Sequence, residues 1–405
     1  MTWPHDAEAH DPRLPLAGVR VLDLSRILAG PLAATVLGDL GADVVKVESP
    51  QGDETRRWGP PFHGDDAAYF MALNRNRRAL VLDLRDAEGQ EAVRRLAADA
   101  DVVVENFLPR QLASLGLDEV RDTSPHAVWV SIRGASEAGP LGDQPGYDAM
   151  AQARTGIMSV TGHPETGPTK VGLPVVDVVT GLYAAIGALA ALLGRRHPSD
   201  GAAARVEVPL FECGVSALIN QAANHLIGGT VPGLLGNLHP NVAPYGPIPT
   251  ADGELVLGAT SDRQFTALCT AIGRPELAAD PRFADNPARV AHRDALVLLL
   301  ADALRADPTR TWEERLLQAG IACAPVNTVD QVFAEEQVSA AALTPTVTHP
   351  AGPVRLVASP LRLDGQRPPI RRAPPLLGEH TAAILEALNT PSRPTTSRSP
   401  SDEPQ

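Results

Sequence analysis

One carboxylate stands alone in a long apolar segment of the sequence. Asp177 is the only charged residue between Lys170 and Arg195, in a stretch that reads PVVDVVTGLYAAIGALAALL from 174 to 193. An ionised carboxylate in apolar surroundings is costly unless it is hydrogen-bonded or paired. Asp177 is therefore either a tolerated acid in the first turn of a helix, where free N–H groups and the helix dipole favour an anion, or a group that takes part in chemistry.

Two further segments place cationic and aromatic side chains at the ends of predicted strands. They read LVLDLR at 80–85 and ENFLPRQL at 105–112. Ligands of open α/β sheets bind at the carboxyl ends of the strands, where Arg85 and Arg110 are suited to phosphates and Phe107 to packing against a base. Arginines after strands are more often solvated surface residues, so the pattern alone leaves both interpretations open.

Short apolar strands and helical patterns alternate through the first third of the sequence. The pattern predicts strands at 19–24, 42–48, 79–84, 101–107 and 127–134, with helices at 31–41 and 86–100. Such alternation is typical of βαβ units in a parallel sheet. Farther along, it predicts a long helix at 174–196, a strand at 205–210, a Gly- and Pro-rich connector at 228–249, a separate α+β unit and a disordered tail at 390–405.

Composition and missing motifs exclude several classes of function. A net charge of −13 over 405 residues, 44% of them apolar, indicates a soluble two-domain protein rather than one that binds nucleic acid. The first strand-to-helix turn, DLSRILAGPLAATVLG, lacks the GxGxxG of dinucleotide sites, so we expect no NAD. The eleven histidines are scattered and the three cysteines lie far apart, so we expect no metal.

The first residues and the apolar segment bear on localisation. MTWPHDAEAH has neither the basic end nor the apolar core of a signal peptide, and the sparse cysteines suit a reducing compartment, so we expect a cytoplasmic protein. The uncharged run at 178–194 is a transmembrane candidate. Its length and its glycines and alanines favour a buried helix of a soluble protein, and we expect no membrane partner.

Several long motifs, in order, resemble one known family. They read LAGVRVLDLSRILAGPLAATVLGDLGADVVKVESPQGDETR, YFMALNRNRRALVLDLR, DVVVENFLPRQLASLGL, GYDAMAQARTGIMSVTG and VGLPVVDVVTGLYAAIGALAALLGRR. From Leu16 to Leu388 the sequence resembles the class III CoA-transferase (CaiB/BaiF) family. The resemblance implies a Rossmann-like large α/β domain with a parallel sheet, a smaller α+β domain and an interlocked homodimer. We expect a large CoA-binding domain at 1–227, a small domain at 228–325 and a return segment at 326–389.

The resemblance also implies the chemistry and the residues that perform it. The catalytic aspartate of the family falls on Asp177, whose carboxylate would move CoA from a succinyl-CoA-like donor to a free organic acid through an aspartyl anhydride and an aspartyl-CoA thioester. Contacts to coenzyme A, bound as the acyl-CoA substrate, fall on Leu28, Ala29, Leu82, Asp83, Leu84, Arg85, Asn106, Phe107, Leu108, Gln144, Pro145, Gly146 and Tyr147. Ser114 stands where the family often has an arginine, and Arg110 is a candidate substitute for that phosphate contact.

Two other functions are alternatives. The α-methylacyl-CoA racemases of the same fold abstract a proton with a histidine where this chain has Tyr147, and a tyrosine with its ordinary pKa near 10 is a poor base at neutral pH. A non-catalytic CoA-binding protein is expected to have a damaged site, whereas Asp177 is present. The motifs look most like members that act on succinate-type dicarboxylates, for which Arg154 is a candidate partner of the distal carboxylate. Formate, oxalate and carnitine are alternative substrates.

Overall fold

The computed structural model describes residues 3–6, 9–194 and 204–390, and these form two compact units. The first unit lies within Met1–Thr155, Leu173–Ala217 and Ser339–Gln405, and the second comprises Gly156–Gly172 and Leu218–Val338. The second unit thus includes 156–172, 218–227 and 326–338, which the sequence-based division places outside the small domain. The domain boundaries stay a prediction. Apart from residue 390, the predicted disordered tail lies outside the described residues.

Six strands of the first unit, β1, β2 and β5–β8, overlap the predicted strand positions, and four short strands there were not predicted. In chain order they are β1 (Arg20–Asp23), β2 (Asp43–Glu48), β3 (Phe62–His63), β4 (Asp66–Ala67), β5 (Arg77–Val81), β6 (Val102–Glu105), β7 (Val128–Arg133), β8 (Arg205–Pro209), β9 (Tyr245–Pro249), β10 (Glu254–Gly258), β11 (Ala322–Pro325), β12 (Thr346–Val347) and β13 (Val354–Arg355). Strand β9 lies inside the segment 228–249, so the prediction that this whole segment is a connector is wrong at its end.

The helices are more numerous than the pattern predicts. They are α1 (Ala29–Asp39), α2 (Ala68–Leu73), α3 (Ala87–Asp99), α4 (Pro109–Ser114), α5 (Leu117–Asp122), α6 (Asp148–Arg154), α7 (Val175–Gly194), α8 (Leu210–Ala217), α9 (Asn220–Leu226), α10 (Asp262–Ala271), α11 (Asn286–Ala291), α12 (Arg293–Leu304), α13 (Thr309–Gln318), α14 (Val329–Ala334), α15 (Glu336–Ala340) and α16 (Thr381–Asn389). Short 3-10 helices cover Glu54–Arg57, Met158–Val160, Pro275–Ala279 and Pro281–Phe283.

A six-stranded parallel sheet forms the centre of the first unit. The strand order is β5-β2-β1-β6-β7-β8, and every neighbouring pair is parallel. Except for the edge strand β8, the strands are largely buried on both faces, as a parallel sheet covered by helices requires. Helices α3 and α16 pack on one face, where Leu22, Val45, Val103, Leu96 and Ile384 share a core, and α1 and α7 lie together on the other side. The α/β architecture that the sequence predicts is confirmed.

Helix α7 is only partly buried within this unit. It packs against α1, β7, β8 and α8. Val176, Thr180 and Ala184 are buried on that side, whereas Tyr183 and Ile186 are 46% and 58% exposed. Among the described residues, α7 is the one helix long and apolar enough to cross a membrane, by length and composition alone. The prediction of a buried helix therefore holds for one side of it.

The second unit is a separate α+β structure, as predicted. Its antiparallel sheet has the order β11-β10-β9. The core beneath the sheet contains Phe265, Phe283, Leu300 and Trp312. In this unit His292 lies between helices α11 and α12.

Candidate active site

Two carboxylates lie at the first turn of α7: Asp177, which belongs to that turn, and Asp148, which is the first residue of α6. The backbone N–H groups of Val176 and Asp177 donate hydrogen bonds to Oδ1 of Asp148, at 2.9 and 3.3 Å. The side-chain amide of Gln152 donates to Oδ2 of Asp148 at 2.7 Å. Asp148 is therefore the residue that stabilises the start of α7, and the N–H groups expected to favour the Asp177 anion are already bound.

Asp177 lies half-buried beside this cap. Burial, together with the negative charge of Asp148, raises the pKa of the Asp177 carboxyl from 3.8 to about 7. Desolvation and the like charge of Asp148 therefore outweigh the favourable effect of the helix start on the Asp177 anion. No hydrogen bond to the Asp177 carboxylate is found among the described residues. A poorly hydrated, unpaired carboxylate titrating near neutrality is suited to nucleophilic attack.

Asp177 is one of the residues that line a recess of about 200 Å³ in the first unit. The other lining residues are Arg26, Ile27, Ala29, Asn106, Phe107, Leu108, Gln111, Ile132, Arg133, Gly134, Pro145, Gly146, Tyr147 and Leu210. They include eight of the predicted site residues: Asp177, Ala29, Asn106, Phe107, Leu108, Pro145, Gly146 and Tyr147. The recess therefore brings together segments that are distant in the sequence.

A second recess, of about 310 Å³, adjoins the first, since Arg26 and Phe107 line both. It contains the predicted residues Leu82, Asp83, Leu84 and Arg85, which lie just beyond the end of β5. This is the carboxyl edge of a parallel sheet, where nucleotides bind in open α/β folds.

Arg85 is less available as a phosphate ligand than the sequence suggests. Its guanidinium pairs with the Asp83 carboxylate at 2.5 Å, and the hydrogen bonds from Arg85 lower the pKa of Asp83 to about 2. The Arg85 side chain is 73% exposed, so an incoming phosphate would compete with Asp83 in a solvated setting.

Several other predicted residues lie apart from the two recesses. Leu28 is buried at the N-terminal end of α1, and Gln144 is exposed; neither lines a recess. Arg110 and Ser114 on α4 are exposed and also absent from both linings. Arg154 is exposed at the end of α6, away from the Asp177 recess. A role for Arg154 beside the acyl group finds no support in this unit.

The loop that carries Pro145–Tyr147 rests directly on the end of β7. A Cβ atom added to Gly146 would lie 2.5 Å from Cα of Gly134, and one added to Gly134 would lie 2.9 Å from the carbonyl oxygen of Gln144. Two glycines are therefore needed for the backbones to approach this closely. The contact holds Tyr147 at the rim of the recess.

The turn before α1 is fixed by contacts that the sequence did not reveal. The backbone N–H of Arg26 donates to the side-chain oxygen of Asn106 at 3.0 Å, and Asn106 donates back to the Arg26 carbonyl at 2.8 Å. Ile27 has a φ of 73°, and its N–H donates to Asp53 at 3.2 Å. Asp53 in turn pairs with Lys46 at 3.1 Å, with both side chains fully buried. A non-glycine residue in the left-handed region persists because its surroundings hold it.

Tyr69 is another neighbour of Asp177 that sequence reasoning missed. Burial, followed by the negative charges of Asp177 and Asp148, raises the pKa of the Tyr69 hydroxyl to about 12. Its ring packs edge-on against Trp58, with 5.4 Å between the ring centroids. Tyr69 stands in a motif of the resemblance, but nothing in its spacing from Asp177 indicates proximity.

A larger recess, of about 410 Å³, lies elsewhere in the first unit. It is bounded by the N-terminal segment and by Arg371 and Arg372. None of the predicted site residues lines it. Size therefore does not identify the site in this chain, whereas the position of Asp177 does.

The chain is similar to known proteins over most of its length. Residues 16–381 match the model of "CoA-transferase family III". The chain is 40% identical to succinate--glutarate CoA-transferase of Agrobacterium fabrum, over 94% of this chain and 98% of that protein. It is 38% identical to human succinyl-CoA:glutarate CoA-transferase, over 92% of this chain and 86% of the relative. A crystal structure of a CaiB/BaiF family protein from Brucella suis is 41% identical and superimposes with a TM-score of 0.81, over 93% of this chain and 100% of the other.

Proposed function

Because the chain belongs to CoA-transferase family III, we propose that it moves CoA from a succinyl-CoA-like donor to a second dicarboxylic acid, with Asp177 as the acyl carrier. The observation that carries this proposal is the shared recess of Asp177, Asn106, Phe107 and Tyr147 beside a second recess at the carboxyl edge of the sheet. One recess suits the acyl group and the thioester, and the adjoining one suits the nucleotide end of CoA.

The proposed reaction has two symmetrical halves. A carboxylate oxygen of Asp177 attacks the thioester carbonyl carbon, the C–S bond breaks, and CoA leaves as a thiolate from a mixed anhydride. The thiolate then attacks the aspartyl carbonyl carbon, which releases the donor acid and leaves an aspartyl-CoA thioester. The acceptor carboxylate attacks that thioester to form a second anhydride. The thiolate finally attacks the acyl carbonyl and regenerates the Asp177 carboxylate.

The surroundings of Asp177 suit this sequence of steps. Apolar residues, among them Ala29, Ile132 and Leu210, line part of the recess, so a bound acyl group that fills it would displace water that could hydrolyse the anhydride. Burial and the Asp148 charge raise the energy of the free carboxylate, and this penalty disappears once the oxygen is acylated and neutral. The site thus favours the anhydride relative to a fully solvated aspartate.

The dicarboxylic substrate class is inferred from the relatives. The proteins from Agrobacterium fabrum and from human carry succinate or succinyl-CoA and glutarate in their names, and each covers more than nine-tenths of this chain. CoA enters this scheme as part of the substrate and product, and Asp177 is the only protein group that becomes covalently modified.

Transfer should be measured directly. The purified protein is incubated with succinyl-CoA and a panel of free acids, and the new acyl-CoA species are followed by mass spectrometry. Substitution Asp177→Ala should lower transfer by about a thousandfold or more, because no other group can carry the acyl chain. The matched variant Asp143→Asn, at an exposed site, should keep the wild-type rate.

The covalent intermediate gives an independent test. Hydroxylamine added together with acyl-CoA should convert Asp177 into a hydroxamate that peptide mass spectrometry locates. Transfer that survives Asp177→Ala would overturn the proposed mechanism. Exchange of the α-proton of an acyl-CoA without any transfer would instead favour the racemase.

We also propose that the protein is a cytoplasmic homodimer. Tyr183 and Ile186 on the free side of α7, together with Leu182, present an apolar strip that a second copy would cover. Substitution Ile186→Glu should shift the mass measured by light scattering from that of two chains to that of one. The exposed Leu298, in the second unit, offers a control through Leu298→Glu. A wild-type monomer at micromolar concentration would overturn the dimer.

A further inference from the structure

We propose that Arg26 selects dicarboxylic substrates by pairing with the carboxylate at the end of the acyl chain distal to Asp177. This inference rests on the proposed function and assigns its specificity to one side chain. Arg26 lines the same recess of about 200 Å³ as Asp177. A four- or five-carbon acyl chain carried on Asp177 would bring its second carboxylate into that recess.

Two guanidinium groups line the Asp177 recess, and only one is free to change partner. Arg133 is held in a bidentate pair, since its two terminal nitrogens bind both carboxylate oxygens of Glu105 at 3.0 and 2.9 Å, and its side chain is 3% exposed. Its buried Nε has no hydrogen-bond partner among the described residues. The Arg26 side chain is 40% exposed, and its ion pair to Glu54 uses one terminal nitrogen, Nη1, at 2.9 Å. Arg26 is therefore the cation that a substrate can reach.

The remaining nitrogens of Arg26 are without partners among the described residues. Nε is buried and donates to no oxygen within hydrogen-bond distance, and Nη2 donates to no protein group in the described ranges. One oxygen of Glu54, Oε2, is likewise buried and unpaired, so the Arg26–Glu54 pair is poorly matched. Glu54 lines the second recess and not the Asp177 recess. A carboxylate arriving from the Asp177 side would thus meet a guanidinium whose donors are incompletely used.

Hydrogen bonds fix the position of the Arg26 backbone, so the guanidinium can select acyl chains of a particular length. Its backbone is held on both sides by Asn106, and the following residue, Ile27, is held by Asp53. The guanidinium lies above the ring of Phe107, with 5.5 Å between its carbon and the ring centroid. A planar cation that is supported in this way binds a carboxylate through two parallel hydrogen bonds.

Discrimination between dicarboxylic and monocarboxylic substrates then depends on the second carboxylate, which a monocarboxylic acid lacks. A bound monocarboxylate leaves Arg26 desolvated without a new partner, whereas a dicarboxylate satisfies it. The CoA diphosphate is another source of anionic oxygens, and it would pass near the boundary of the two recesses. Phosphate binding would affect every acyl-CoA alike, and this difference separates the two roles.

The test compares two acceptors of equal length, glutarate and pentanoate, with one acyl-CoA donor. In Arg26→Gln, the ratio of kcat/KM for glutarate to that for pentanoate should fall by about tenfold to a hundredfold, as expected for one lost charged hydrogen-bonding partner. Arg26→Lys, which keeps the charge but not the planar fork, should recover part of the ratio. The control Arg57→Gln, at a cation that lines the second recess alone, should change both acceptors by the same factor.

The outcomes separate this inference from the proposed function. A wild-type enzyme that prefers pentanoate overturns the role of Arg26, and so does an Arg26→Gln variant whose ratio stays within about twofold of wild type. Equal losses for both acceptors, with a raised KM for the acyl-CoA donor, assign Arg26 to the diphosphate instead. Absence of transfer to any acid by the wild-type protein overturns the proposed function itself.

Discussion

The carboxylate of Asp148 caps the helix that carries Asp177, and it accepts hydrogen bonds from the backbone N–H groups of Val176 and of Asp177 itself. One acid therefore occupies the donors that would otherwise stabilise the other. The negative charge of Asp148 also adds to burial in raising the pKa of Asp177 to about 7. The helix start, which favours an anion, is used here to hold Asp148 and to leave Asp177 reactive.

The first prediction concerns the pH dependence of the reaction. Only ionised Asp177 is a nucleophile, so kcat/KM should rise with pH through about 7 and level off above it. Substitution Asp148→Asn keeps an oxygen that can cap α7 but removes the like charge, so the midpoint of the profile should move to lower pH. Steady-state kinetics from pH 5.5 to about 9 measure this midpoint. An unchanged midpoint in Asp148→Asn would show that burial alone sets the pKa.

The second prediction is that the ionised Asp177 carboxylate lowers the free energy of unfolding at alkaline pH. Folded Asp177 keeps its proton up to about pH 7, whereas the unfolded chain loses it near 3.8, so the folded state binds more protons between these values. The contribution of Asp177 is therefore favourable below pH 4 and is lost as the pH rises through about 7. Asp177→Asn should then raise the free energy of unfolding at pH 8 by up to about 4 kcal/mol.

Urea denaturation of both proteins at several pH values tests this. The gain should shrink towards pH 4, where wild-type Asp177 is protonated in the folded state and only about half ionised in the unfolded chain. A gain that is the same at all pH values would point to altered packing rather than to ionisation. Asp143→Asn, at an exposed aspartate of the same unit, controls for the loss of one negative charge.

The third prediction concerns the two glycines under the Pro145–Tyr147 loop. Gly146→Ala would place a Cβ 2.5 Å from Cα of Gly134, so the loop must move away from β7. A displacement of about 1 Å at the recess should lower kcat/KM by about a hundredfold with the fold retained. Gly139→Ala in the same loop meets its nearest neighbour, the carbonyl oxygen of Ser136, at 3.5 Å and should change the rate little. Equal rates for the two variants would contradict a positioning role for the loop.

The sequence predicted the architecture and much of the site for a physical reason. Strand positions follow from runs of valine and leucine, and the ends of parallel strands meet at one edge, which brings Leu82–Arg85 and Phe107 to adjoining recesses. Asp177 stood out because its apolar neighbours make a charge there costly. These features are local in the sequence or follow from the topology.

The remaining features depend on contacts that span long stretches of chain. The cap from Asp148 to α7 joins residues 28 and 29 positions apart, and the bonds between Arg26 and Asn106 join residues 80 apart. Arg26 has no pattern that distinguishes it from a surface arginine. Leu28 and Gln144 are next in the sequence to residues that line the Asp177 recess, but the direction of one side chain depends on packing that the sequence spacing does not determine.

The fourth prediction concerns the buried pair beneath the Arg26 turn. Lys46 and Asp53 are fully buried and 3.1 Å apart, and Asp53 also accepts the N–H of Ile27. Asp53→Asn leaves the Lys46 charge without its partner, which should lower the free energy of unfolding by about 3–5 kcal/mol.

The double variant Lys46→Met/Asp53→Leu removes both charges and should recover most of that loss, as measured by urea denaturation. It should still bind substrate poorly, because Ile27 then loses the hydrogen bond to Asp53 that supports its left-handed conformation, and only Asn106 still holds the Arg26 backbone. Asp11→Asn, which breaks the solvent-exposed pair with Arg13, should change stability far less. A double variant with wild-type KM would separate the buried pair from the site and leave it a purely structural element.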